Sequence, residues 1–157
     1  KIKGIINIYD YLITNNDFDI IKLNISHNKL TQDSQSSSIF ELDKHIIEHP
    51  EVNYISYQIK QTITIDTFFN KHLINMYNYN FLFLHIQGAE LLALIGAEKY
   101  LNYLKCIFIK IHNKELYKNN PLVNDLDIFL NNKNFYRILT KFNNNGWGDA
   151  LYIKIIK

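Results

Sequence analysis

One stretch, FLFLHIQGAELLALIGA from Phe81 to Ala97, constrains the fold more than any other. Six apolar or near-apolar residues in a row, Phe81–Ile86, are too continuously hydrophobic for a strand with one wet face, so the run predicts a central parallel strand covered on both sides. Gly88 then permits a sharp turn, and Leu91, Leu94, Ile95, Leu101 and Leu104 recur at helical spacing, with Gly96 breaking the helix in two. Strand, tight corner and helix form the unit from which α/β sheets are built.

The flanking sequence extends this pattern. Lys3–Tyr9 and Phe18–Ile25 are β-branched runs of strand length, and Ser26–Ser38 is a polar loop. Ile39–Pro50 has a short helical character. Tyr54–Ile65 alternates as a strand and leads to Asp66, read as the N-cap of a short helix. Lys105–Ile111 is a further buried strand, Leu122–Asn132 a helix after Pro121, and FYRILTKF and DALYIKII two strands joined by a turn through Asn143–Gly148. The order predicts an α/β domain whose parallel core closes with an antiparallel hairpin.

Composition narrows the function classes. Apolar residues make up 47% and charged residues 20%, which argues for a packed core over disorder. Net charge is +2 with scattered lysines, so the basic footprint of a nucleic-acid binder is missing. Cys106 is the only cysteine, which excludes an internal disulfide. No apolar run reaches the roughly 18 residues of a membrane helix. The expectation is a cytoplasmic protein with neither nucleic-acid nor membrane partners.

In open α/β sheets ligands bind beyond the carboxyl ends of the strands, which directs attention to His85, Gln87, Gly88 and Glu90. A helix start after Gly88 would offer N–H groups to a polar ligand, with Glu90 as a cap carboxylate; the plain alternative is a strand-to-helix turn with no ligand. HIIEH, His45–His49, matches the H-x-x-E-H pattern of inverted zinc peptidases, but a helix ending at Pro50 is a poor platform and no third ligand stands out, so no metal site is expected. Ser36, Ser37 and Ser38 could present hydroxyls without being nucleophiles. Trp147, between two glycines, suits a lid over the sheet end.

Taken in order, SSSIFELDKH, HPEV, TIDTF, FLFLHIQGAELLALIGAEKYL and NGWGDALYIK resemble the FkbM-type methyltransferase family, from about Phe18 to the end of the chain. The resemblance implies a Rossmann-like class I methyltransferase fold, here truncated, with a mostly parallel sheet closed by the C-terminal hairpin, as a single domain over residues 1–157. It also implies methyl transfer from S-adenosylmethionine to an oxygen, on a small-molecule or glycan hydroxyl. Within it His85, Gln87 and Glu90 take catalytic positions. Asn7, Asp10 and Gly88 take cofactor positions, and Ser36, Ser37, Ser38, His45 and Trp147 substrate positions.

Two departures bear on activity. Tyr9 and Asp10 stand where the family's glycine-rich cofactor loop begins, no G-x-G follows, and the segment with the second strand and its ribose-binding acid is missing. His85 stands where the family usually carries an acid. The expectation is a degenerate methyltransferase site; the alternative is a binding or structural module that reuses the fold.

Overall fold

The computed structural model describes residues 7–155. Its elements are β1 (Leu12–Ile13), β2 (Ile20–Asn28), α1 (His45–Glu48), β3 (Val52–Ile63), α2 (Ile65–Lys71), β4 (Phe81–Leu84), α3 (Glu90–Ile95), β5 (Cys106–His112), α4 (Val123–Asn131), β6 (Phe135–Phe142) and β7 (Trp147–Lys154). They form two sheets, β1-β3-β2 and β4-β5-β7-β6.

Strand direction corrects the expected architecture. Among the described residues only β1–β3 and β4–β5 are parallel pairs, whereas β2–β3, β5–β7 and β6–β7 are antiparallel. The sheets are therefore mixed and mainly antiparallel. The hairpin of β6 and β7 forms as expected, and β4 and β5 are parallel neighbours. The expected first strand, Lys3–Tyr9, lies partly outside the described residues, and Asn7–Tyr11 carries no strand.

β4 is not a central strand. It is the edge of its sheet, and one of its faces is open: Phe81 is 51% and Phe83 57% exposed, while Leu84 is buried. Successive residues of a strand point to opposite faces, so the sheet divides cleanly. Ile107, Ile109, Ile111, Ala150, Tyr152 and Phe135 share one core cluster with Ile65 and Phe69 of α2, Ala93 and Leu94 of α3, and Leu126 and Leu130 of α4. α2, α3 and α4 thus cover one face. The other exposes Phe83, Leu139 and Ile153 in its lower half and carries the polar residues of the candidate site in its upper half.

Helix starts follow local chemistry. Thr64, not Asp66, caps α2, its Oγ1 accepting from the Thr67 N–H at 3.0 Å. Asp66 instead accepts from the Lys99 and Tyr100 N–H groups at 2.8 and 2.9 Å, tying α2 to the turn after α3. Asp125 accepts from the Leu122 N–H at 2.8 Å at the start of α4. The expected helix over Ile39–Pro50 shrinks to the four residues of α1. Gly96 is the C-cap of α3, and the position admits no side chain: a Cβ there would stand 2.3 Å from the Thr14 carbonyl oxygen.

Candidate functional site

Beyond the carboxyl ends of β4 and β5, on the face opposite α2, α3 and α4, lies a cavity of about 250 Å³. Five elements converge on it. His85 and Gln87 follow β4, Lys110 comes from β5, His45 and His49 from α1 and its cap, Trp147 from the start of β7, and Ser36 from the loop after β2. Pairing explains the alignment, since Phe83 lies opposite Phe108, and Lys110 and His112 lie two and four residues further along the same face of β5.

Gln87 is the hub of the wall. Its backbone is held at φ 56°, the left-handed region that non-glycine residues seldom occupy, and its carbonyl accepts from Ser38 Oγ at 2.7 Å. Lys110 Nζ and the Tyr117 hydroxyl both donate to Gln87 Oε1, each at 2.9 Å. Lys110 Nζ also lies 4.5 Å over the centroid of the Trp147 ring, a cation–π contact that keeps the ammonium at the cavity floor. Tyr117 is buried, which together with nearby Tyr54 raises its phenol and keeps it a neutral donor.

The titratable groups are displaced from ordinary values. Burial, then the neighbouring charges of His49 and Lys110, lowers His45 to about 4; burial, then Lys110, His45 and His85, lowers His112 to about 3. Both imidazoles are neutral at pH 7. His85 is lowered by the same kinds of effect, burial first and Lys110 second, partly opposed by Asp149. Burial lowers Lys110 against the stabilising charges of Glu90 and Asp149. His45 Nδ1 and His112 Nε2 are buried without a hydrogen-bond partner among the described residues, and an unpaired buried polar atom calls for an explanation.

Glu90 does something other than face a ligand. Its Oε1 accepts from the Ile86 N–H and its Oε2 from the Gly88 N–H, both at 2.9 Å, so the carboxylate braces its own corner. Burial raises its pKa, although both backbone N–H groups and Lys110 pull the other way. The Gly88 N–H is thereby occupied. Gly88 itself sits at φ 99°, with Asn120, Phe40 and Tyr117 within 3.4 Å of where a Cβ would stand.

The structure thus places His85, Gln87, Ser36, His45 and Trp147 around one cavity. Ser37 and Ser38 act as braces: Ser37 Oγ accepts from the Ser26 N–H at 3.0 Å, and Ser38 holds Gln87. Asp10 stands apart, paired with Lys60 at 2.7 Å on the surface. Asn7 lines a different groove. The HIIEH segment forms α1, where Glu48 pairs with Lys114, and among the described residues no group of three or more His, Cys, Asp or Glu is placed to hold a metal. Lys110, His112 and Tyr117 escaped the sequence reading, and His49 entered it only through the H-x-x-E-H pattern. A signal for the first two was present, since Lys110 and His112 interrupt an apolar strand two residues apart and so share a face.

The groove lined by Asn7 flanks β4 and has a volume of about 430 Å³, with walls of Tyr9, Tyr11, Phe68, Leu82 and Leu84. A model of the FkbM methyltransferase domain matches residues 8–138, well over half of the chain. The chain belongs to the FkbM methyltransferase family. No curated protein matches it significantly, and no solved structure does. The methyl donor S-adenosylmethionine, which the family uses generally, has ribose hydroxyls and a charged methionyl end that need polar partners. The groove beside β4 offers aromatic walls and no carboxylate among the described residues, so the residues present there do not fit the polar ends of that molecule. No helix among the described residues is long and apolar enough to cross a membrane.

Proposed function

We propose that this FkbM-family chain carries the acceptor side of oxygen methylation: the cavity over Lys110 takes a small molecule or glycan unit bearing a hydroxyl, and the donor side is degenerate. The observation that carries this reading is the convergence of Lys110, Gln87, His45, His85 and Trp147 from separate elements on one cavity at the carboxyl ends of parallel strands. Packing alone does not call for such a concentration of polar side chains.

Within this reading His85, whose ring is partly covered and held below the ordinary imidazole value, accepts a hydrogen bond from the ligand hydroxyl. Gln87 orients the ligand through its amide, and Ser36, His45 and Trp147 shape the wall. A second reading, a binding module without chemistry, is favoured by the commitment of both Glu90 oxygens to backbone N–H groups.

Calorimetry tests the donor side. S-adenosylmethionine or its demethylated product at millimolar concentration should give no saturable heat, and His85→Asp should not restore it, because one side chain does not rebuild a loop. Saturable micromolar binding would return the chain to the active-enzyme reading, with Asn7 and Asp10 as the first residues to replace. On the acceptor side, saturation-transfer NMR with methyl α-D-glucoside should show contact that Trp147→Ala removes.

A further inference from the structure

We infer that the ligand of this cavity bears a carboxylate, and that Lys110 reads it. The inference rests on the acceptor-pocket reading above and concerns the class of molecule that pocket takes.

Donors dominate the cavity. Lys110 Nζ spends one bond on Gln87 Oε1 and has no other hydrogen-bond partner among the described residues, although an ammonium carries three donors. Two donors converge on Gln87 Oε1, which fixes the amide flip and leaves its NH₂ without a partner among the described residues. His45, only 5% exposed, lines the wall, while its unpartnered Nδ1 and the unpartnered Nε2 of His112 are buried behind it and add no donor to the cavity surface.

Anionic acceptors are scarce. Among the described residues lining the cavity Asp33 is the only carboxylate, and Asn28, Gln35 and Ser36 offer neutral acceptors only. Asp149, across from Lys110 in the β5–β7 register, makes no hydrogen bond to it, and both Glu90 oxygens are engaged elsewhere. A ligand must therefore bring acceptor oxygens. A hydroxyl is donor and acceptor at once, whereas a carboxylate is acceptor-only with about four lone-pair sites and forms charge-assisted bonds roughly twice as strong as neutral ones. It would also supply Lys110 with a directly bonded counter-charge in a site where an unpaired ammonium is costly.

A hexuronate such as D-glucuronate combines this carboxylate with the hydroxyls that the acceptor reading requires. The experiment measures binding of four probes to the wild-type chain: D-glucuronate, D-glucuronamide, methyl α-D-glucoside and D-glucose 6-phosphate. Glucuronate should bind about tenfold tighter than the amide or the glucoside, the scale of one charge-assisted hydrogen bond. The advantage over the glucoside should fall to within about twofold in Lys110→Met, by the loss of that same bond. The amide comparison needs only wild-type protein, so it decides the matter even if the variant fails to fold. Equal binding of glucuronate and glucuronamide overturns the carboxylate while leaving the acceptor pocket standing. Tighter binding of the phosphate overturns it in favour of a phosphorylated ligand. An advantage that survives in a folded Lys110→Met removes Lys110 as the reader, and no binding by any of the four sinks the pocket reading as well.

Discussion

Mild acid should destabilise this protein through His45 and His112, which burial and nearby positive charge hold neutral. His45 and His112 titrate near 4 and 3 in the folded chain, below the ordinary 6.5, so from about pH 6.5 downward the unfolded chain binds more protons than the folded one. Their contribution is complete above pH 6.5. It is lost as pH falls through the window that ends near 4 for His45 and near 3 for His112. Each group costs about 1.4 kcal/mol per pH unit within its window, so the pair removes about 4 kcal/mol between pH 6.5 and pH 5, a large part of the roughly 5–15 kcal/mol of a typical domain.

Other groups can be separated from this effect. Asp17, Asp33 and Glu51 have lowered values and matter only below the ordinary carboxylate range. Glu90 acts in the opposite direction, because burial raises its pKa and its protonation in acid favours the folded state. Comparing wild type with a His45→Gln, His112→Gln double variant isolates these two, since Glu90 and the likewise lowered His85 are common to both. Urea unfolding followed by Trp147 fluorescence at pH 7.5 and pH 5 is the assay. The double variant, whatever its stability at pH 7.5, should lose much less than wild type on acidification. Equal losses in the two proteins would refute the assignment of neutral, buried imidazoles.

Glu90→Gln leaves one of the Ile86 and Gly88 N–H groups facing an amide NH₂, and should lower stability by about 1–3 kcal/mol in a chemical denaturation curve. Gly96→Ala drives a Cβ to 2.3 Å from the Thr14 carbonyl oxygen, so it should cost at least about 2 kcal/mol, while alanine at a typical unstrained glycine would stabilise; thermal melting distinguishes the two. Thr64→Ala removes the α2 cap and should cost about 1 kcal/mol by the same melt. Phe81→Ser with Phe83→Ser acts on the open sheet face, so binding of an apolar fluorescent dye should drop while stability changes by about 0.5 kcal/mol or less per site.

Much of the local structure was legible because strands and helices impose their own periods. Cys106–His112, the Phe135–Phe142 and Trp147–Lys154 hairpin, and Val123–Asn131 all lie where apolar spacing and turn residues put them. The family was legible for a different reason: its motifs are spread along the chain in order, and the match over residues 8–138 agrees.

What local pattern does not encode is which surfaces meet. Phe81–Leu84 reads alike whether a strand has neighbours on both sides or lies at an edge, and only the tertiary structure shows that nothing among the described residues pairs with its outer side. Asp66 and Thr64 are both competent caps, and the turn at Lys99 decided between them by claiming Asp66. The cavity is the extreme case. His45 and Lys110 are 65 positions apart in the numbering, and nothing within either segment says that the two meet. The sequence by itself determined the periods, the turns and the family motifs, because these rest on sterics between residues a few positions apart. The donor-rich cavity and the bracing role of Glu90 were decided by tertiary structure, because hydrogen bonding and burial depend on which distant groups are brought within about 3 Å.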